Sequence, residues 1–249
     1  MDPRMPSTHV DPTTDGRTGC LRVGHSIVAP GADLDDLARV LAGADWDMVE
    51  LDVLTLDGEL VVAHDPTDLA HPEPLRFADA LQALHDALPG HVAVDVDIKG
   101  IGYEAAVVDA LRRARLIDRT LVSTMEVTSL RAVRALAPDV RLGLSVPKAR
   151  RNYLAHPVTR PGAYLMLAYL RRVLPRRAAA ALRSGLADAI MAHWGVVTPA
   201  LVAAVRDAGG ELYVWTVDDA ARVRSLDALG VTGVITNDGA VFGQAAGPA

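Results

Sequence analysis

The chain has 249 residues, a formal net charge of −6, half of its residues hydrophobic, and a single cysteine, Cys20. That length suits one barrel-sized domain or two small ones, and the apolar share is ample for a large core. The acidic balance gives no electrostatic support for a general nucleic-acid role. One cysteine excludes an intramolecular disulfide and a Cys-based zinc cluster.

Residues 1–19 are polar and rich in Pro, Thr and Asp. With no apolar run they do not read as a secretory signal, and a disordered lead is expected there. The barrel domain is expected over 20–241, with a disordered tail over 242–249. No apolar stretch approaches the roughly 20 residues that span a bilayer; the nearest, 163–170, is far too short. The expected location is cytoplasmic, with the inner membrane face as an optional contact surface.

Along the chain, short β-like runs alternate with Ala/Leu/Arg-rich helical stretches. A strand is expected over 21–24, then a helix over 33–42 with Asp33 placed to cap it. A second strand covers 47–54. Asp57-Gly58 then makes a tight turn into 59–63, a small hairpin. A helix over 77–88 stops at Pro89-Gly90 and leads to a strand over 91–98. Helices are expected over 104–116, 128–136, 161–184, 199–208 and 219–229. Strands are expected over 120–124, 141–146, 188–192, 211–217 and 233–236. Counting the hairpin arm separately, eight strands alternate with helices. In this length that pattern predicts an α/β fold, a single (β/α)8 TIM-type barrel.

Strand periodicity places the charges. In the run from Met48 to Val53, Val49, Leu51 and Val53 share the face that packs on outer helices, and Glu50 and Asp52 share the face that points into the barrel. The run from Val92 to Lys99 repeats this, with Asp95, Asp97 and Lys99 facing in. Inward carboxylates are costly unless something positive satisfies them. Residues near the C-terminal ends of barrel strands build active sites, and Glu50, Asp52, Asp97 and Lys99 all lie there. Oxygen ligands without cysteine suggest one hard divalent cation, Mg2+ or Ca2+. The alternative is a buried carboxylate–lysine network that only fixes the barrel.

Two histidines take matching positions: His25 ends the first strand, and His64 follows the hairpin arm. Imidazole both takes and gives a proton near neutral pH. A phosphodiester needs its nucleophile deprotonated, its leaving oxygen protonated and its charge neutralised. Two imidazoles, a cation and a lysine meet those needs. His193 and Trp194 follow another strand end, within reach of the same pocket. Asp95 and the remaining histidines receive no functional reading.

The run Glu50-Leu51-Asp52 through Asp57-Gly58, followed by Ala63-His64-Asp65, resembles the glycerophosphodiester phosphodiesterase family, which carries E-x-D, T-x-D-G and H-D in this order. Asp97-Ile98-Lys99 is similar to its E-I-K strand, 137–144 to its P-D-V-x-L-G-L segment, 214–218 to its W-T-V-N strand, and 230–238 to its closing G-V-D-G-I-x-T-D. The resemblance implies that the barrel is of the phosphodiesterase kind and that Glu50, Asp52 and Asp97 bind one divalent metal. It implies His25 and His64 as general acid and base, and Lys99 as a phosphate contact. Trp215 would line the pocket, or serve as simple core.

The chain departs from the family where H-R-G and P-E-N-T usually stand: here the sequence is H-S-I-V-A-P-G-A-D from His25. The usual phosphate-binding arginine is absent, and the third metal ligand is Asp, not Glu. The expected substrate is a small phosphodiester, of glycerophosphodiester or lysophospholipid type. The G-H-S start and the Asp ligand give a weaker likeness to phospholipase D toxins. The alternatives are accordingly a phospholipase D-like lipid cleavage or a silent barrel that binds a phosphoester or phospholipid. Residues 148–183 hold nine Lys/Arg and no Asp or Glu. Such a segment is either an ordinary barrel helix with a solvated basic face or a peripheral membrane contact. No protein partner is implied.

Overall fold

A computed structural model describes residues 19–27, 33–42, 45–71, 73–147 and 160–245. The chain alternates strand and helix: β1 (Leu21–Gly24), α1 (Leu34–Ala42), β2 (Met48–Leu56), β3 (Glu59–Val62), α2 (Phe77–Ala87), β4 (Ala93–Ile98), α3 (Glu104–Arg113), β5 (Thr120–Thr124), α4 (Val127–Leu136), β6 (Arg141–Val146), α5 (Arg160–Arg183), β7 (Ala189–His193), α6 (Pro199–Asp207), β8 (Glu211–Trp215), α7 (Ala220–Leu229), β9 (Gly233–Thr236) and α8 (Ala240–Ala245). Eight strands pair in parallel in the order β1-β9-β8-β7-β6-β5-β4-β2, and the β1–β2 pairing closes the ring. This is a (β/α)8 TIM-type barrel, and β3 is an antiparallel arm on β2.

Two apolar layers follow from the period of two along each strand. Val49, Leu51, Val53, Val94, Val96 and Ile98 join the outer core between strands and helices. Val23, Met48, Leu121, Ala189, Met191, Tyr213 and Ile235 form a separate cluster that fills the barrel interior. The interior leaves little room: a Cβ on Gly233 would lie 2.7 Å from the Tyr213 ring. Arg141 pairs with Glu211, which also accepts from the Tyr213 hydroxyl at 2.9 Å, and this closes the N-terminal end.

Local chemistry explains most boundaries. Asp33 Oδ1 accepts from the backbone N–H groups of Asp35 and Asp36, both at 2.9 Å, and so caps α1 as expected. Asp57 and Gly58 both have positive φ, 50° and 85°, the geometry that matches a hairpin's twist. That turn lets β2 run on to Leu56, two residues past its expected end.

Two boundaries differ more. The helix expected over 104–116 ends at Arg113 because Arg115 turns left-handed at φ 56°. The Leu116 N–H donates to the Leu111 carbonyl at 3.0 Å, and both side chains are fully buried. This is a Schellman stop without the usual glycine, so the sequence carries no mark of it. The tail expected from 242 also begins too early: α8 continues to Ala245, with Val241 and Phe242 buried. The Phe242 ring takes the guanidinium of Arg22 at 5.7 Å. The expected lead (residues 1–18 of it) and residues 246–249 of the tail lie outside the described residues, as do 148–159 of the basic stretch.

Candidate active site

The pairing of β2 with β4 sets Glu50 opposite Asp95 and Asp52 opposite Asp97. All four continue the inward parity of Met48 and Ala93, and all four are buried. One oxygen each from Glu50, Asp52 and Asp97 lies within 4.8 Å of the others. Asp95 sits one step deeper and is not in that group. The Lys99 ammonium bridges two of the three acids, 2.8 Å from Asp52 Oδ1 and 2.6 Å from Asp97 Oδ2.

Four buried carboxylates against one ammonium are electrostatically unbalanced. Burial holds Glu50 well above the usual carboxylate range, and the neighbouring Asp52, Asp95 and Asp97 push it further up. Burial also raises Asp95, with Asp97 adding to it, and raises Asp97 despite Lys99. Asp52 is different: burial is outweighed by the His64 hydrogen bond and by Lys99, and it stays strongly acidic. Lys99 is correspondingly held charged: burial opposes this, but Asp97, Asp52 and Glu50 prevail. Glu50 Oε2 and both Asp95 oxygens have no hydrogen-bond partner among the described residues, although Ser123 is near enough to Asp95 to offset part of the rise. Orphaned buried oxygens in a cluster of this charge suit a hard divalent cation, so the residues present fit the metal that the donor set suggests.

Each histidine is held by its Nδ1. The backbone N–H groups of His64 and Asp65 both donate to Asp68 Oδ2, at 2.9 and 3.0 Å, which pins the turn after β3. His64 Nδ1 then lies 2.9 Å from Asp52 Oδ2. That bond raises the His64 pKa, against a smaller opposing effect of burial. His25 continues the inward parity of β1, and its N–H donates to the Thr236 carbonyl at 2.8 Å. Its Nδ1 lies 2.8 Å from Asn237 Oδ1. The two rings stand edge to face with centroids 5.9 Å apart.

Asn237 was not singled out by its sequence. It follows Ile235 at interior parity just past β9, and that parity was the available signal. Its side-chain N–H2 donates to Asp218 Oδ2 at 2.8 Å, and Asp218 Oδ1 accepts from the Asn237 N–H and the Thr236 hydroxyl, both at 2.8 Å. A carboxylate only accepts, so the amide nitrogen must face Asp218 and the amide oxygen must face His25. In the neutral ring, His25 therefore carries its proton on Nδ1 and has its lone pair on Nε2. Burial would raise Asp218, but the bonds from Asn237 and Thr236 outweigh it and hold it below the usual carboxylate range.

Ser26, where the expected family pattern has arginine, has φ 39° and donates its hydroxyl to Asp52 Oδ2. On the opposite wall, at the ends of β7 and β8, the His193 ring lies 5.1 Å from the Trp215 ring and 5.1 Å from the Trp194 ring. His193 Nδ1 accepts from the Gly195 N–H at 3.1 Å, and burial, then Arg222, depresses its pKa. Trp215 Nε1 donates to the Met191 carbonyl at 3.1 Å. Thus Glu50, Asp52, Asp97, Lys99, His25 and His64 come together in contact. His193 and Trp215 contact each other and face that cluster across the mouth.

A TIM-type barrel with this acid, lysine and histidine constellation at its C-terminal end has the build of a phosphodiester-cleaving enzyme. The sequence profile of the Glycerophosphoryl diester phosphodiesterase family matches residues 92–240, well over half of the chain. The chain belongs to that family and is a phosphoric diester hydrolase. The matched region contains Asp97, Lys99, His193, Trp215 and Asn237, whereas His25, Glu50, Asp52 and His64 precede it. No curated protein sequence matches the chain.

Solved structures share the fold at low identity. A glycerophosphodiester phosphodiesterase from Parabacteroides distasonis is 16% identical, covers 92% of this chain and 97% of its own, and has a TM-score of 0.67. One from Agrobacterium tumefaciens is 18% identical, covers 90% and 99%, and scores 0.65. An Oleispira antarctica phosphodiesterase in complex with the product sn-glycerol-3-phosphate is 17% identical, covers 90% and 96%, and scores 0.65.

Proposed function

We propose that this protein hydrolyses a small glycerophosphodiester or lysophospholipid with one divalent cation, Mg2+ or Ca2+, held by Glu50, Asp52 and Asp97. The observation that carries the reading is the junction of that acid trio with two imidazoles. Both are held through Nδ1, so both leave Nε2 for the cleft. When bound, the cation would withdraw negative charge from the phosphoryl oxygens, as hard cations do for phosphate esters. Lys99 adds a second positive charge on the β4 side of the same phosphate. His25 Nε2 accepts a proton from the attacking water, whose oxygen forms the new bond to phosphorus, while Asn237 keeps Nδ1 protonated. His64, whose proton is favoured by Asp52, gives its Nε2 proton to the leaving alcohol oxygen. Trp215 and His193 form the wall on which the alcohol portion rests. The product that the Oleispira phosphodiesterase holds, sn-glycerol-3-phosphate, is of the class this site would release.

The test is an assay of the purified chain on glycerophosphocholine, glycerophosphoethanolamine and lysophosphatidylcholine, with and without EDTA. Turnover should require a divalent cation, and His25→Ala and His64→Ala should each reduce it by about 10² or more with unchanged circular dichroism. Full activity in EDTA would remove the metal from the proposal, and full activity of either variant would remove that histidine.

A further inference from the structure

The end of the barrel that carries the site is also its apolar end. Among the described residues, nine large apolar side chains are exposed, and six of them, Leu34, Ile101, Leu165, Met166, Tyr169 and Trp194, lie on segments that leave the C-terminal ends of strands. Scattered exposure of this kind is ordinary, but three of the six share the first turns of α5. Leu165 is 75% exposed, Met166 56% and Tyr169 52%. Leu167 and Leu170 of the same turns pack back on the core, so the helix is seated and its outward face is apolar. Arg171 Nε donates to the Gly195 carbonyl at 2.9 Å, which marks where α5 passes the level of the strand ends. Leu165 stands six residues earlier, about 9 Å further out along the helix. The apolar face therefore projects past the mouth, beside Trp194.

Charge follows directly below it. α5 carries six arginines and no acidic residue in a chain of net charge −6. Arg172, Arg176 and Arg177 form no ion pair with a described residue, and with Val173 they line a groove of about 490 Å³. The Arg222 guanidinium adds to this edge, 3.7 Å from the centre of the Trp194 ring. An apolar tip above a band of unpaired guanidinium groups matches the order of a lipid surface, acyl chains first and phosphates next. A second copy of the chain fits less well, because a two-fold pairing of α5 on itself would set these arginines against each other.

We propose that this face of α5, with Trp194 beside it, docks on an anionic lipid surface and holds the mouth over single-chain phosphodiester lipids lying there. The docking stands independently of the hydrolytic reading; the choice of lipid as substrate rests on it.

Flotation of the full chain with phosphatidylcholine vesicles, with and without phosphatidylglycerol, tests the docking. Binding should require phosphatidylglycerol and weaken with salt, since screening acts over about 8–10 Å near physiological ionic strength. Arg172→Gln and Arg176→Gln should each weaken it roughly fivefold. The triple variant Leu165→Ser, Met166→Ser, Tyr169→Ser should weaken it by about tenfold or more. That variant should cleave glycerophosphocholine as the parent does and vesicle-borne lysophosphatidylglycerol more slowly. Absence of vesicle binding by the parent overturns the proposal, as does a triple variant that binds equally well. Loss of a dimer in the triple variant, without vesicle binding by the parent, would identify a self-association face instead and equally overturn it. Vesicle binding as expected, with no hydrolysis of either substrate, would uphold the docking and overturn the hydrolytic reading.

Discussion

At the scale of single residues, the site is organised by what each carboxylate is left to do. Asp52 is the junction: Ser26, His64 and Lys99 all meet it, and it alone of the four acids is held strongly acidic. Among the described residues, Lys99 is the one lysine or arginine paired with these four acids. Replacing it by methionine leaves buried carboxylates without compensation, a loss of about 3 kcal/mol for breaking a buried pair from one side. A bound cation substitutes for the lost charge, so the stability deficit of Lys99→Met should shrink when Mg2+ or Ca2+ is added. Chemical denaturation with and without the metal measures this, and a deficit that metal does not change would refute the account.

The pair Asn237 and Asp218 makes a separate prediction. Asn237→Ala should free the His25 ring to exchange tautomers, visible in its nitrogen NMR shifts. It should lower kcat by about 10- to 100-fold, the usual scale for a partner that orients an active imidazole. Asp218 has a folded pKa below its unfolded value, so its contribution to stability is present above about pH 4 and is lost as pH falls through the folded value. The stability gap between the parent and Asp218→Asn should therefore be widest near neutrality and close in acid. A gap that is constant with pH would show that the carboxylate's charge is not what the network uses.

At the scale of elements, turns and stops decide where the site residues arrive. The Asp57-Gly58 hairpin returns the chain so that the His64 imidazole reaches Asp52; a longer loop would leave that register unset. The Schellman stop after α3 uses Arg115 in a left-handed conformation that costs an L-residue roughly 1–2 kcal/mol. Arg115 is exposed, and Gly removes that cost at some expense in unfolded-state entropy. Arg115→Gly should therefore raise stability by about 1 kcal/mol, read as a shift in denaturation midpoint at constant slope. A neutral or destabilising result would mean that the Arg115 side chain contributes more than its backbone costs.

At the scale of the whole molecule, the barrel is closed by β1 between β9 and β2, and α8 packs on α7 and meets β1 where Phe242 takes Arg22. Phe242, buried there, should cost about 3–5 kcal/mol when replaced by alanine, the range for aromatic truncation in a core. Because β1 and its extension carry His25, and β9 leads into Asn237, the same variant should lose activity at a lower denaturant concentration than the parent, in step with unfolding. Loss of activity well before unfolding would indicate that α8 tunes the site locally instead of closing the barrel.

The alternation of strands and helices, the inward parity of Glu50, Asp52, Asp95, Asp97 and Lys99, and the turn at Asp57-Gly58 were all legible in the sequence. Periodicity and turn chemistry are local properties, and burial on both faces of a strand writes them into consecutive residues. The Arg115 stop was not legible because no glycine marks it, and the length of α8 was not because Gly243 and Gln244 read as the start of a tail; each is fixed by apolar contacts with distant parts of the chain. The same holds for the relay through Asn237 to Asp218. It starts at Asn237, 212 positions from His25, and only the closure of β1 on β9 brings these two within hydrogen-bond distance. Sequence alone determined which side chains face the barrel's interior. The tertiary structure decided which of them touch, because hydrogen bonds and charge pairs depend on ångström distances that strand order and register set and that no local pattern encodes.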